Sequence, residues 1–355
     1  MARKLMKGNE AIGEAAIMAG CRAYFCYPIT PQTEVAEYLA KRMPEVGGTF
    51  LQGESEVAVG YMIFGAAAAG KKVFTSSSSP GVSLMAEAMS YVAAAELPAV
   101  FINIMRAGPG LGGILPSQSD YHQATKGAGH GDYKMLVFAP SSVQEAVDHM
   151  MLAFDLAETY RNPVMLIGDG MIGQMMEPVE LPDTPREDNE IAGHEAWATT
   201  GCEGRERHLV KTLFLDAEEN FAHNLTLAAK YKVMEAEEVR FAEEGIEDDL
   251  DVLLVAYGTM ARICTTAMEE LRAGGLRVGM HRPVTVWPFP YARINALAGK
   301  AKMVVAVEMS MGQLVDDVRA AVANQVPVEH YGKTGGIVPT PGDVAAAIRE
   351  IAGRA

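Results

Sequence analysis

The sequence predicts an α/β protein built as two unequal units, each a mostly parallel sheet with helices on both faces. Three observations carry that prediction. Short apolar runs of strand length alternate with longer segments of helical periodicity from residue 8 to residue 167. Runs such as residues 99–105 are almost continuously apolar, as strands buried on both faces must be. The alternation then stops after Pro178 and resumes at Asp251. This sets an α/β domain over residues 1–180, a connector with a long acidic helix over 181–245, and a smaller α/β domain over 246–355.

Each element follows from its local pattern. Residues 8–20 read as a helix whose face carries Ala11, Ala15, Ala16 and Met18, with Gly20 as its stop. A strand over 23–27 ends in Pro28-Ile29-Thr30-Pro31, where two prolines fix the backbone. Residues 34–42 are a helix, 48–51 a strand, and 57–70 an apolar, charge-free helix expected to be buried. A strand over 72–75 leads into Ser76-Ser77-Ser78-Ser79-Pro80-Gly81, followed by a helix over 82–96 and the strand 99–105. Residues 106–132 form a loop rich in Gly, Pro, Ser and His. Strand 135–138, helix 143–160 and strand 164–167 close the first half. Residues 216–244 read as one helix, with Phe221, Leu225, Ala228 and Tyr231 on its apolar stripe. Strands over 252–257, 277–281, 303–307 and 327–331 then alternate with helices over 259–273, 314–323 and 343–351.

Composition narrows the function. A formal charge of −15 argues against a broad nucleic-acid face. No apolar run spans a membrane, and the basic N-terminus lacks the apolar core of a signal peptide. Cys21, Cys26, Cys202 and Cys264 form no CxxC pair, so neither a zinc ribbon nor an iron–sulfur run is written in this sequence, and no metal ligand set is assigned. Cys21 and Cys26 are expected to be packed thiols, and a cytoplasmic location is expected.

Glu54 and Glu56 stand at the mouth of the apolar helix, where an ionised carboxylate is costly without a donor. Gly65–Lys72 nearly spells a P-loop, but Lys72 replaces the hydroxyl and the run ends a helix instead of opening one. Gly108–Gly113 matches GxGxxG, yet Pro109 and Pro116 sit where the phosphate-binding helix should begin, so an active-site loop is expected.

Tyr27-Pro28-Ile29-Thr30-Pro31, Gln52-Gly53-Glu54-Ser55-Glu56-Val57-Ala58, Thr75–Gly81 and Met105-Arg106-Ala107-Gly108-Pro109-Gly110 together resemble the α subunit of the 2-oxoacid:ferredoxin oxidoreductases. The resemblance runs over almost the whole chain. It implies a thiamine-diphosphate-binding pyrimidine domain followed by a transketolase C-terminal-like domain. It also implies coenzyme A-dependent oxidative decarboxylation of a 2-oxoacid, with 3-methyl-2-oxobutanoate favoured over 2-oxoglutarate or pyruvate.

Within that resemblance Glu56 is the carboxylate against the thiamine pyrimidine, with Glu54 as runner-up. Arg106 is the substrate arginine, its planar fork suited to a 2-oxo-carboxylate. Thr30 presents a hydroxyl to substrate or cofactor. Gly168-Asp169-Gly170 resembles only the opening of the Mg²⁺–diphosphate motif and reads as a strand-end turn. The implied partners are a β subunit holding diphosphate and Mg²⁺, γ and/or iron–sulfur δ subunits, and ferredoxin. Ser76–Ser79, Ser117, His122, His130 and Asp132 are pocket linings without an assigned role. A non-redox thiamine decarboxylase or synthase, a nicotinamide dehydrogenase using 108–113, and a subunit without a site are the alternatives.

Overall fold

The computed structural model describes residues 3–354; Met1, Ala2 and Ala355 lie outside the described residues. The first half runs β1 (Arg3–Lys7), α1 (Gly8–Met18), β2 (Ala23–Cys26), α2 (Thr33–Glu45), β3 (Thr49–Gln52), α3 (Glu56–Ala68), β4 (Val73–Ser77) and α4 (Ser79–Ala94). It continues with β5 (Val100–Met105), α5 (Tyr121–Thr125), β6 (Leu136–Phe138), α6 (Val143–Tyr160), β7 (Val164–Asp169), α7 (Gly170–Gln174) and β8 (Met176–Glu180). The second half runs α8 (Ala217–Glu237), β9 (Phe241–Glu244), β10 (Val252–Val255), α9 (Gly258–Ala273), β11 (Val278–Pro283) and β12 (Thr285–Trp287). Then follow α10 (Tyr291–Ala298), β13 (Val304–Glu308), α11 (Leu314–Val322), β14 (Val328–Gly332) and α12 (Pro341–Ala352).

The larger sheet has seven strands in the order β12-β6-β7-β5-β4-β2-β3. Every pairing from β6 to β3 is parallel. Its central strands β4, β5 and β7 are buried along their whole length, which explains their largely apolar runs, with Thr75–Ser77, Asn103 and Asp169 as the buried polar exceptions. Helices α1, α2 and α6 pack together, while α3 and α4 form a separate pair. Glu14, on the buried side of α1, is matched by Tyr38 Oη at 2.9 Å and by Arg42 of α2 at 2.9 and 3.0 Å. The smaller sheet has the order β14-β13-β10-β11-β9, with α9 packed against α12 and α10 against α11.

Four features depart from the sequence reading. Residues 241–244 do not extend the acidic helix; they form β9, antiparallel to β11, because Arg282–Pro283 offers an open edge. Helix α8 buries Leu227, Tyr231 and Met234, one i, i+4, i+7 face, and leaves Phe221 and Leu225 exposed, since only its C-terminal half meets the core. The apolar helix α3 is not wholly buried: Val57 is 42% and Tyr61 40% exposed. Finally, β12 crosses from the second half to pair antiparallel with β6 at the edge of the first sheet, and β1 pairs with β8 as a separate ribbon.

The connector folds back on the first unit. Arg186 N donates to Met18 O, Lys72 N to Asn189 O, and Ile191 N to Gly70 O. Lys72, 3% exposed, reaches Asp188 at 2.9 Å and Glu158 at 3.1 Å, so the P-loop look-alike ends in a structural ion pair.

Candidate active site

Parallel strands bring their C-terminal ends to one edge, where α/β proteins place ligands. Here that edge collects Tyr27–Pro31 after β2, Glu54–Glu56 after β3, Ser78–Gly81 after β4 and Arg106 after β5.

Glu56 is the first residue of α3. The Ser55 hydroxyl caps the helix, accepting from Ala58 N at 3.2 Å, and an acid in the first turn is favoured by the helix dipole. Glu56 is 6% exposed and has no hydrogen-bond or ion-pair partner among the described residues. Glu54 is exposed and takes only a 3.3 Å bond from Ser55 Oγ. The two acids are therefore not equivalent. Facing Glu56 is Gly81 in the first turn of α4, where an added Cβ would lie 2.6 Å from Glu56 Oε1. The buried hydroxyls of Thr75, Ser77 and Ser78 also lack partners. A carboxylate with no protein partner, close to the unspent Ser77 hydroxyl across Gly81, suits a ligand that brings its own N–H donors.

The proline turn is held from below. Gln32 Nε2 donates to Tyr27 O at 3.2 Å, and Gln32 Oε1 accepts from Ser76 Oγ at 2.6 Å, which is joined to the buried Tyr24 hydroxyl at 2.7 Å. Asn9 Nδ2 donates to Pro31 O at 2.8 Å. Thr30 itself is exposed. Its carbonyl accepts from Arg106 Nη1 at 2.9 Å, so the two predicted substrate residues sit together.

Arg106 is 6% exposed; Nη2 donates to Leu111 O at 3.1 Å, and Nε is buried with no partner. The glycine run after it opens no helix. Arg106 bridges Pro116 and Ala107 N donates to Leu115 O at 3.0 Å, so residues 107–115 make a closed excursion. Gly112 has φ +58°, and a side chain there would overlap the Ala107 carbonyl.

Asp169 Oδ1 caps α7, accepting from Met171 N at 2.8 Å and Ile172 N at 3.3 Å; burial raises its pKa. Among the described residues no group of three or more His, Cys, Asp or Glu is placed to hold a metal ion. Burial pushes the thiol of Cys21 up to about 12 and that of Cys26 up to about 11, which makes both packed and unreactive.

Of the other loop residues, Ser117 bonds to Ser119 and Met309, while His130 and Asp132 are exposed. The residues that sequence reasoning missed are Asn103 and Asp120. Asn103 Nδ2 donates to Asp120 Oδ2 at 3.0 Å, and Ser79 Oγ donates to the same oxygen at 2.5 Å. Burial raises the Asp120 pKa against the pull of these donors. Asn103 is the one amide in an apolar strand, and a buried amide implies a partner; that signal was available. Ser79 and Asp120 line a cleft of about 610 Å³ with Gly108–Gly110, Met311–Gln313 and Thr334.

Residues 14–237 match the family described as pyruvate flavodoxin/ferredoxin oxidoreductase, thiamine-diphosphate-binding, and residues 250–344 match pyruvate:ferredoxin oxidoreductase core domain II. The chain is 46% identical to the ketoisovalerate oxidoreductase subunit VorB of Methanothermobacter thermautotrophicus over 99% of both chains. It is 38% identical to the 2-oxoglutarate synthase subunit KorA of Archaeoglobus fulgidus, covering 94% of this chain and 95% of that one. Among solved structures, the 2-oxoglutarate:ferredoxin oxidoreductase from Magnetococcus marinus with 2-oxoglutarate, coenzyme A and succinyl-CoA bound superposes with a TM-score of 0.89 at 27% identity. That match covers 99% of this chain and 65% of the other. A split-gene transketolase shares the fold at a TM-score of 0.58 and 15% identity, over 97% of each chain. With more than half of the chain inside one family and a near full-length relative at 46% identity, this protein belongs to the 2-oxoacid:ferredoxin oxidoreductases.

Proposed function

We propose that the chain is the α subunit of a hetero-oligomeric enzyme that oxidatively decarboxylates 3-methyl-2-oxobutanoate. The products are CO₂ and the coenzyme A thioester, and two electrons pass to ferredoxin. The observation that carries the reading is the buried, partnerless Glu56 against Gly81. Thiamine diphosphate, when bound, supplies a carbon nucleophile for the keto carbon and a sink for the electrons released with CO₂. Glu56, with the Ser77 hydroxyl near it, would hold the aminopyrimidine. Its carboxylate, with no protein partner to compete, would share a proton with a ring nitrogen. Arg106 supplies the positive charge at this edge for the substrate carboxylate, and Thr30, whose carbonyl accepts from Arg106, offers an exposed hydroxyl there.

The diphosphate, Mg²⁺ and iron–sulfur clusters are assigned to β, γ and/or δ subunits. In support, helices α3 and α4 leave Val57, Tyr61 and Leu84 between 40% and 53% exposed, as a surface covered by a partner would be. Free cysteines favour a reducing, cytoplasmic setting, and no helix among the described residues is long and apolar enough to cross a membrane. A second reading, the same machinery acting on 2-oxoglutarate, draws on the likeness to the 2-oxoglutarate synthase subunits and structure. The test is to assay the co-purified complex with a viologen acceptor against 3-methyl-2-oxobutanoate, 2-oxoglutarate and pyruvate. A preference for the branched substrate is expected. Activity of this chain alone with ferredoxin would overturn the assignment.

A further inference from the structure

Ser79 has φ +22°, at the edge of the left-handed region that favours glycine. Such a backbone persists only where its surroundings hold it, and three groups do so here. Ser79 N donates to Asn103 Oδ1 at 3.0 Å. Ser79 Oγ accepts from Arg106 N at 3.0 Å, and its one proton has two acceptors in reach, Asp120 Oδ2 at 2.5 Å and Arg106 O at 3.3 Å. The carboxylate takes it, being closer and charged. That choice leaves a hydroxyl lone pair aimed at Arg106 N.

Asp120 is itself fixed from the second unit. Gln313 Nε2 donates to Ser119 O at 2.6 Å, and Gln313 Oε1 accepts from His122 N at 2.8 Å. Gln118 exchanges bonds with Met309 at 2.9 and 3.0 Å. The segment carrying Asp120 is thereby pinned on both sides.

We infer that Asp120 is a positioning residue: it fixes the rotamer of the Ser79 hydroxyl, and through it the end of β5 from which Arg106 reaches the substrate carboxylate. Without Asp120 the Ser79 proton has only Arg106 O at 3.3 Å, the aligned bond to Arg106 N weakens, and the Arg106 backbone loses one of its holds, leaving the side chain to its bonds with Thr30 O and Leu111 O. This rests on the reading of Arg106 as the carboxylate-binding residue.

The assembled complex tests it with D120A, S79A, the double variant and R106K. Readouts are KM for the 2-oxoacid, KM for coenzyme A, inhibition by 3-methylbutanoate (a carboxylate without a keto carbon), and Tm. D120A is expected to raise the 2-oxoacid KM and the 3-methylbutanoate inhibition constant together, by about tenfold, while kcat falls less than threefold and the coenzyme A KM holds. S79A should match it. On the 2-oxoacid KM the double variant should be no worse than either, because Asp120 reaches Arg106 through the Ser79 hydroxyl. Additive effects, or a D120A that leaves the 2-oxoacid KM unchanged, overturn the inference. So does a joint fall of kcat and Tm with no change in inhibition. If R106K leaves the 2-oxoacid KM unchanged, the reading of Arg106 fails. If R106K raises it and D120A does not, only the role of Asp120 fails.

Discussion

Glu56 and Gly81 meet across the first turns of α3 and α4, so closely that a methyl group on Gly81 would lie 2.6 Å from Glu56 Oε1 and closer still to Ser77 Oγ. The carboxylate can hold its place only while residue 81 has no side chain. Gly81→Ala should therefore displace Glu56 or Ser77 and cut turnover by about 100-fold, the cost of an ångström-scale misplacement. Steady-state kinetics on the assembled complex check this, with thermal unfolding as the control for folding.

Glu56→Gln keeps the volume and removes the charge. Its kcat should fall by roughly 10²–10⁴, the range of a lost acid–base group, while the complex still elutes at its normal size. Glu54→Gln changes an exposed acid and should leave turnover about the same. Equal losses in the two variants would mean that both carboxylates serve the site.

Asp317, 5% exposed on α11, accepts from Tyr121 Oη at 2.6 Å, Tyr291 Oη at 2.5 Å and Lys126 Nζ at 2.6 and 2.7 Å. Tyr121 and Lys126 belong to the first half of the chain, so one carboxylate ties the two units. Asp317→Ala strands the buried Tyr121 hydroxyl, whereas Lys126 is exposed enough to regain water. A loss of about 2–4 kcal/mol is expected in denaturant unfolding.

His149 stacks on Phe138, with ring centroids 5.1 Å apart, and its Nδ1 is buried without a partner. Burial lowers its pKa to about 4 from 6.5, against the opposing pull of Glu145. The folded state thus stays neutral between those values while the unfolded chain takes up a proton. Stability contributed by His149 is full above about pH 6.5 and is lost as pH falls toward 4, by at most ~1.4 kcal/mol per pH unit. His149→Phe should flatten that part of the stability–pH curve; an unchanged slope would show that other groups set it.

Local pattern determined much of this protein. The alternation of apolar runs placed α1, α6 (Val143–Tyr160 to the residue) and the central strands, because burial on both faces of a parallel sheet leaves a signature in the strand itself. It also put an acid at the start of α3, an arginine after β5 and a double-proline turn after β2, and parallel pairing then sends all three to one edge. Strand identity at β1, β8, β9 and β12 was not legible, since those segments become strands only by finding a distant edge: β12 pairs with a strand about 150 residues earlier.

The same limit divides the site. Glu54 and Glu56 are the same residue type two positions apart, and nothing local separates them. What does so is tertiary: the first turn of α4 closes over Glu56 and leaves Glu54 in water. Asp120 and Asn103 were hidden for the same reason, being joined through Ser79 across 17 to 41 residues of chain. Sequence determines which groups a segment can present. Which of them lose water and gain a partner is decided by what packs against them, and desolvation is what turns an acid into a chemical tool.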